Sequence, residues 1–405
     1  MKFEPLLKAA PFSGARVRPF DGTKQYLSTG DLQGDSLSFV DITFKDKPSR
    51  ADIAVREGDV LFARMKGTKK VLRVTQELAD VIVSTGFAVL RPGEDCDPAY
   101  LATYLSTDYF ERQKEKYCSG AIQPAVTNSG IEKLQIPLPP LNDQHRIAHL
   151  LGKVEGLIAQ RKQHLQQLDD LLKSVFLEMF GDIKAKRSAH VWEKPRPYLK
   201  ASSGKSSGSV KVSKETSFPI YGGNGINGWA CEPLYTEPVV IVGRVGQQCG
   251  IVHVSKGACW VTDNAIVITI SDKERLNATY LATAFQNAPI REKVKQLDLP
   301  FINQSMLLDF PIPIPEIGLQ NKFAAIVEKV EGIKSRYQQS LTDLEDLYGA
   351  LSQQAFKGEL DLSRVPLPVE TTTEGFNHER HENTKSAKEK PGWRYDFDDP
   401  LRAFV

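Results

Sequence analysis

The sequence predicts an α+β protein in which two similar mixed α/β domains are separated by two long helices that form a coiled coil. Three observations lead to this prediction: a stretch that occurs twice, a heptad pattern inside both copies, and a strand-rich segment ahead of each copy. The chain has 405 residues, which is long enough for two or three domains with cores of their own.

The repeated stretch starts with a run of prolines. Residues 136–141 lead into Gln144 in the first copy, and residues 312–317 lead into Gln320 in the second, at a constant offset without a gap. Proline cannot continue a helix, so each run sets a sharp start for the segment that follows. A duplication of this extent determines the architecture, and we expect the order domain, helix, domain, helix.

Both copies carry an apolar seam whose steps alternate between four and three residues. This spacing places the seam along one side of an α-helix, as in a coiled coil. Because neither helix can leave its seam in water, we expect the two helices to pack on each other. Arg161 and Lys334 interrupt the seams, and a polar residue at such a position fixes register at a cost in stability. The seams consist of Ile147, Leu151, Val154, Ile158, Arg161, Leu165, Leu168, Leu172, Val175 and Met179, and of Phe323, Val327, Val330, Lys334, Tyr337, Leu341, Leu344, Tyr348, Leu351 and Ala355.

The segments ahead of the two long helices are rich in predicted strands and share short motifs. Residues 60–64 align with residues 240–244, and residues 100–103 recur at 280–283. The pattern predicts strands over residues 36–43, 58–64, 81–90, 238–243, 250–254 and 265–270, and helices over residues 98–113 and 279–297.

These patterns divide the chain into five parts. We predict domains over residues 1–140 and 182–316, long helices over 141–181 and 317–360, and a flexible tail over 361–405, which is poor in apolar side chains. Within the second domain, the Lys/Ser/Gly-rich residues 184–217 are predicted to be a partly mobile connection with Trp192 as its one anchor.

Composition and charge narrow the possible compartments and partners. The formal net charge is only +2, so a surface for nucleic acid has to be local. The five cysteines are odd in number and show no C-x-x-C spacing, which argues against a disulfide framework or zinc site and favours a reducing, cytoplasmic location. No apolar run approaches the length of about 18 residues that indicates a membrane helix, and we expect neither that nor a signal peptide.

The common catalytic motifs are missing from the sequence. Residues 203–206 lack the preceding glycine and strand of a phosphate-binding loop, and residues 378–381 do not form a His-Glu-x-x-His metal motif. We find no dinucleotide fingerprint, no nucleophile elbow and no Pro-Pro-aromatic motif of amino-methyltransferases. The chain is therefore predicted to be no enzyme, with no catalytic residues, no metal and no cofactor of its own.

Basic and amide side chains on turns are the remaining candidates for function. Arg64 and Arg244 follow buried strands at matching positions, which predicts two cationic groups at corresponding corners of the two domains. Taken singly, each is better explained as an ordinary surface residue, and the alternative for the glycine-rich loop of residues 221–227 is a tight turn that needs glycine. Such side chains also read base edges and hold phosphates, so the candidate DNA-binding set is Arg64, Lys66, Lys69, Lys70, Tyr221, Asn224, Asn227, Arg244, Gln247 and Asn264.

Taken together, these features resemble the specificity subunit of type I restriction–modification systems, over roughly residues 1–362. The resemblance is carried by the two proline runs with Gln144 and Gln320, by the Lys-Val-Glu-Gly segments at 153–156 and 329–332, and by the helix ends near Phe180 and Phe356. Residues 221–225 and 260–264 are similar to stretches common in the target-recognition domains of that family. The extension after Arg364 departs from the family pattern.

The resemblance implies a DNA-reading protein without catalytic activity. Each target-recognition domain would read one half of a bipartite site, and the helices would pair antiparallel and set the spacer between the halves. Two methyltransferase subunits that use S-adenosylmethionine would dock along the helices, and endonuclease/translocase subunits would join the complex. From the residues alone two alternatives stay open: a protein–protein scaffold with two binding globules, and an enzyme with an unrecognised site. Salt-dependent binding to duplex DNA would separate the first of these from a DNA reader.

Overall fold

The computed structural model describes residues 2–34, 36–213, 218–290, 292 and 301–367. The first globule comprises the strands β1 (Phe3–Pro5), β2 (Ala15–Arg16), β3 (Lys24–Leu27), β4 (Leu32–Gln33), β5 (Ser36–Leu37), β6 (Val40–Ile42), β7 (Ala51–Ala54), β8 (Val60–Ala63), β9 (Val71–Arg73), β10 (Ile82–Ser84), β11 (Phe87–Leu90), β12 (Cys118–Ser119), β13 (Ala125–Val126) and β14 (Gln135–Pro137), with the helices α1 (Leu6–Ala9), α2 (Pro98–Leu105), α3 (Asp108–Glu115) and α4 (Asn128–Ile131).

The first long helix, α5 (Leu141–Phe180), leads to the second globule, and the second long helix, α8 (Ile317–Lys357), follows that globule. The second globule comprises β15 (Trp192–Glu193), β16 (Leu199–Ser203), β17 (Lys211–Val212), β18 (Phe218–Gly222), β19 (Gly225–Ala230), β20 (Val240–Gly243), β21 (Val252–Val254), β22 (Trp260–Val261), β23 (Ala265–Ile270) and β24 (Ile312–Pro313), with α6 (Ala278–Asn287) and α7 (Gln304–Leu308).

The two globules share the central part of their strand pairing, as the internal similarity predicts. In the first globule β8 lies between β9 and β11, antiparallel to both, and β3 runs parallel to β10. In the second globule β20 lies between β21 and β23 with the same directions, and β18 runs parallel to β22. The duplication therefore extends to strand pairing that sequence similarity alone does not reveal.

The two long helices form an antiparallel coiled coil. Phe176 and Phe180 at the end of α5 both lie 5.4 Å from Phe323, ring centre to ring centre, near the start of α8. At the other end, Phe356 of α8 packs in one core with Ile147 near the start of α5. Every predicted seam residue of both helices is buried or half-buried. The predicted coiled coil is therefore confirmed.

The two polar residues of the seam are accommodated near the middle of the coil. The Arg161 guanidinium lies over the Tyr337 ring, 4.4 Å from its centre. Lys334 forms ion pairs with Asp169 and Glu331, each at 2.7 Å. Half-buried charges with partners of this kind favour one alignment of the helices over a slipped one.

A buried glutamine joins each long helix to the globule that precedes it. The side-chain oxygen of Gln144 accepts a hydrogen bond from the Asp97 backbone N–H (2.9 Å), and its amide donates to the Asp95 and Pro139 carbonyls (both 2.8 Å). Asp97 is the N-cap of α2, so the glutamine connects two helix starts. Because the Gln144 side chain is fully buried, all three bonds are made within the folded protein and are lost together if the amide is removed.

The second copy repeats this arrangement at Gln320. Its side-chain oxygen accepts from the Asn277 backbone N–H (2.9 Å), and its amide donates to the Arg275 (3.0 Å) and Pro315 (2.8 Å) carbonyls. A tyrosine hydroxyl adds a second shared bond, because Tyr100 donates to the Pro137 carbonyl and Tyr280 donates to the Pro313 carbonyl. These matched bonds explain why the glutamine recurs in both copies.

Several predicted elements differ from those observed. Residues 36–43 and 81–90 each form two short strands, and the predicted helix 98–113 is divided because the Thr107 side chain caps a new helix. The predicted helix 279–297 ends at Asn287, and residues 291 and 293–300 lie outside the described residues. We predicted a flexible tail over residues 361–405, and the structure describes only residues 361–367 of that stretch.

The connection predicted over residues 184–217 is wrong for its central part. Strand β16 pairs with β23 along its whole length, from Leu199 opposite Ile270 to Ser203 opposite Ile266, and so belongs to the central sheet. Trp192 does act as an anchor, because its short strand pairs with Pro313 and Ile312 ahead of α8. The polar composition hid this strand because only Leu199 is buried.

Across the described helices, none combines the length and hydropathy needed to span a membrane.

Candidate nucleic-acid interface

The corner of the first globule is built around the backbone of Arg64, directly after β8. Its N–H donates to the Gly86 carbonyl and its carbonyl accepts from the Val126 N–H, both at 2.9 Å. The guanidinium is half-buried and donates to the Phe87 (3.0 Å) and Val126 (3.4 Å) carbonyls. Burial lowers the pKa of this guanidinium from its usual value. Arg64 therefore uses part of its hydrogen-bonding capacity inside its own globule.

The corner of the second globule has the same backbone geometry around Arg244. Its N–H donates to the Asn264 carbonyl (3.1 Å), and its carbonyl accepts from the Ile302 N–H (2.9 Å). Its guanidinium is exposed, with Nη1 3.5 Å from the Ser203 hydroxyl. The two predicted corners are thus equivalent in their backbones, whereas only Arg244 presents its guanidinium openly to solvent.

The three candidate lysines of the first globule have different surroundings. Lys66 is exposed beside the corner. Lys69 forms an ion pair with Asp108 at the start of α3, and Lys70 donates to the Thr29 carbonyl at 2.6 Å. Of these three lysines, Lys66 is therefore the one whose side chain is most available to a ligand at the corner.

The glycine-rich loop of the second globule is the turn of the β18–β19 hairpin. Gly225 has φ +96°, a conformation that glycine adopts without strain. Tyr221 is buried and packs with Val239 and Ile241, so its ring belongs to the core. Burial raises the pKa of its hydroxyl. Asn224 and Asn227 remain exposed on the hairpin.

The hairpin turn lies against the corner of the second globule. A Cβ on Gly223 would lie 3.3 Å from the Gly243 Cα and 3.7 Å from the Asn264 carbonyl oxygen. The structure therefore brings the hairpin, Arg244 and the exposed Asn264 to one place, and Gln247 follows on the next exposed turn. This is a polar surface built from donors and acceptors of the types that read DNA bases.

The corresponding turn of the first globule was missed in the sequence. Residues 28–31 follow β3, which occupies the place of β18, and the Thr29 carbonyl receives the Lys70 side chain. Asp31 accepts hydrogen bonds from the Ser28 hydroxyl and backbone, which shapes the turn. The turn has no sequence similarity to residues 222–227, so only the parallel pairing of β3 with β10 reveals the equivalence.

His253 lies behind the hairpin of the second globule and supports it. Its ring is 3.5 Å from the position of a Gly225 Cβ and hydrogen-bonds the Gly223 backbone, whereas its Nε2 is buried without a partner among the described residues. Burial lowers the pKa of this imidazole, and the bond to Gly223 opposes that effect. The neutral ring is therefore the form that fits the folded protein.

We expect acid to weaken this support. The pKa of an unfolded histidine is about 6.5, and the pKa of His253 in the folded protein lies below it. The resulting stability is fully present above pH 6.5 and is lost as the pH falls through the pKa of the folded state. The free energy of unfolding, measured with urea at pH 7.5 and pH 5.5, should fall less in His253→Phe than in the wild type. His149→Gln, at a half-buried position on α5, serves as the control. An identical fall in wild type and His253→Phe would exclude this role.

The fold defines a duplicated protein whose two equivalent globules are joined by an intramolecular antiparallel coil. The chain belongs to the family described as the type I restriction modification DNA specificity domain, whose model matches residues 11–169 and 186–343. The two matched segments correspond to the two globules with the first parts of their long helices.

Curated relatives match over shorter stretches. The chain is 27% identical to the type I restriction enzyme HindI specificity subunit of Haemophilus influenzae over 174 residues, covering 40% of this chain and 38% of the relative. It is 26% identical to the EcoprrI specificity subunit of Escherichia coli over 229 residues, covering 51% and 55%. The chain thus spans about half or less of the length of these relatives.

Solved structures show the same fold over almost the whole chain. The type I restriction–modification system S subunit from M. genitalium matches with a TM-score of 0.63 at 15% identity, covering 88% of this chain and 96% of that one. A chain from work on complex assembly and conformational transition of the type I R-M system matches with a TM-score of 0.55 at 21% identity, covering 89% and 98%.

Proposed function

We propose that this chain is a specificity subunit that reads a two-part DNA sequence, each globule recognising one half and the paired helices setting the spacer. The observation that supports this most directly is the equivalence of the Arg64 and Arg244 corners in two globules at opposite ends of one coil. Membership of the specificity-domain family supports DNA as the ligand. In this proposal the chain has no catalytic activity and no cofactor of its own.

Recognition would combine base and phosphate contacts. Arg244, with the exposed Asn224, Asn227 and Asn264 around it, supplies the side chains that pair with guanine and adenine edges in the major groove. Lys66 lies at the edge of the other corner, where an exposed cation suits a phosphate. The small net charge makes such local groups decisive for binding.

Selection from random duplexes by the purified full chain tests the proposal. We expect the retained DNA to share two short sequences separated by a fixed number of unread base pairs. Affinity should fall linearly with salt on logarithmic axes, because phosphate contacts release counterions. Retention of arbitrary sequences alone, or no retention at low salt, would contradict the proposal and favour the scaffold alternative, in which the globules bind proteins.

Arg244→Ala should damage recognition of one half-site. We expect a loss of about 1–3 kcal/mol in binding free energy that depends on one base pair of the half read by the second globule. The first half should be read as before. Arg336→Ala, which removes an exposed arginine from α8, is the control. An equal loss on every DNA sequence would assign Arg244 to the phosphates.

Arg64→Ala should act on the other half-site and on stability together. The substitution removes hydrogen bonds to the Phe87 and Val126 carbonyls, so the corner itself would loosen. We expect lower affinity for the first half-site and a free energy of unfolding lower by about 1–2 kcal/mol, measured by urea titration. Unchanged stability with unchanged DNA selection would remove Arg64 from the interface.

The partners in this proposal are two methyltransferase subunits that use S-adenosylmethionine, and endonuclease/translocase subunits, acting on DNA in the cytoplasm. The coil offers one physical reason for two equivalent docking places. Leu171 and Leu347 lie outside the seams at equivalent positions, and they are 42% and 45% exposed. An apolar side chain repeated outside the seam is not explained by the coil itself and suits a partner that binds twice.

A further inference from the structure

The tip of the β12–β13 hairpin carries the most exposed large apolar side chain in the described part of the chain. Ile122 is 94% exposed, and the next value, for Val191, is 68%. From Cys118 to Val126 the hairpin contains no charged residue. The positive φ of Gly120 (+120°) allows the backbone to turn ahead of the tip. The tip is thus an apolar projection without ionic groups of its own.

The base of this hairpin is part of the Arg64 corner. The Pro124 carbonyl accepts from the Lys66 N–H, and the Val126 N–H donates to the Arg64 carbonyl, both at 2.9 Å. Met65 and Ala125 form the bridge between the two segments. The apolar tip therefore projects from a firmly bonded base beside the cationic side chains that the proposed function assigns to DNA.

The second globule combines the same two kinds of group at its own corner. Val245 and Phe301 form the bridge that corresponds to Met65 and Ala125, and both side chains are 46% exposed. They lie directly beside Arg244 and Ile302. An exposed apolar group next to the corner arginine is therefore a feature of both globules.

We propose that Ile122 is a base-contacting residue that recognises the 5-methyl group of a thymine in the half-site of the first globule. The inference rests on the proposed DNA-reading function. Phosphates offer an isoleucine no complementary surface, whereas the thymine methyl is the apolar feature of the major groove. A projecting, uncharged tip whose base adjoins Arg64 and Lys66 is suited to reach this groove while Lys66 contacts the backbone.

A cycle that alters both sides of the contact tests the proposal in the full chain. Ile122→Ala removes most of the side chain, and deoxyuridine in place of each thymine in the first half-site removes the methyl group. We expect each change alone to weaken binding about five-fold, and we expect the two together, at one thymine, to weaken binding hardly more than either alone. The salt dependence should stay unchanged, because no phosphate contact is lost.

Two controls separate a base contact from other effects. Val191→Ala changes an exposed apolar residue whose carbonyl accepts from the Ile314 N–H, three residues ahead of the second long helix, and it should leave DNA binding unaltered. Thermal unfolding of Ile122→Ala should match the wild type, because an exposed tip contributes little to the core.

The possible outcomes are distinct. If the wild type selects no two-part DNA, the proposed function fails and the assignment of Ile122 fails with it. Three results with a wild type that does select DNA would overturn only the assignment of Ile122. In the first, deoxyuridine has no effect on binding. In the others, the effects of the two changes on the binding free energy add, or the half-site contains no thymine. The assignment is equally overturned if Ile122→Ala leaves DNA binding intact and instead weakens capture of a methyltransferase subunit.

Discussion

Inserting four residues after Gln163 in the first long helix alone is expected to abolish selective binding to the two-part target. The insertion adds about 6 Å to one helix and moves every later seam residue out of register with α8. Phe176 and Phe180 could no longer reach Phe323 while Ile147 keeps its place beside Phe356. Selection from random duplexes measures the result.

Inserting the same four residues into both helices is the matched control. Gln339 is equivalent to Gln163, and the two lie near the same level of the coil, because His164 packs 5.6 Å from Tyr337. The paired insertion lengthens both helices equally. At about 3.4 Å per base pair, we expect the same two half-sites with a spacer longer by one or two base pairs. An unchanged spacer would show that the coil does not set the distance.

Gln320→Leu is expected to lower the free energy of unfolding by roughly 3 kcal/mol or more. The substitution removes the partner of the buried Pro315 carbonyl and of the half-buried Asn277 N–H and Arg275 carbonyl, and a buried polar group without a partner costs about 1–3 kcal/mol. Gln144→Leu should have a similar effect in the first copy. Urea titration of the two variants measures the loss.

An exposed glutamine of α5 provides the comparison for this prediction. Gln163→Leu introduces the same side chain on the helix that carries Gln144 but at an exposed site, and its effect should stay within about 0.5 kcal/mol. If the buried and exposed substitutions cost the same, the glutamines do not hold the helices to the globules.

The architecture could be predicted because its signals are local or repeated. The proline runs, the alternating steps of the seams and the recurrence of Gln144 at Gln320 all lie in short stretches of sequence. Strand β23 was likewise predicted with its observed bounds, since six apolar and β-branched residues in a row need no partner to be recognised.

The site could be predicted only in outline, because its details depend on distant residues. The matching of Arg64 with Arg244 was visible, but the orientation of the Arg64 guanidinium depends on carbonyls 23 and 62 positions away. Strand β16 was missed because its pairing with β23, not its polar composition, makes it a strand. Tyr221 entered the core for the same reason: the strands that cover it lie far along the chain.

The antiparallel pairing of two equivalent helices has a consequence for the polarity of the target. It relates the two lobes by an approximate dyad through the middle of the coil, where Arg161 meets Tyr337. Duplex DNA has dyads of its own, perpendicular to its axis. A protein that aligns the two kinds of dyad presents its lobes to opposite strands, so each would meet its bases in the same 5′-to-3′ sense. The two half-sites can then differ in sequence, while the direction in which one is read is inverted relative to the other along the duplex.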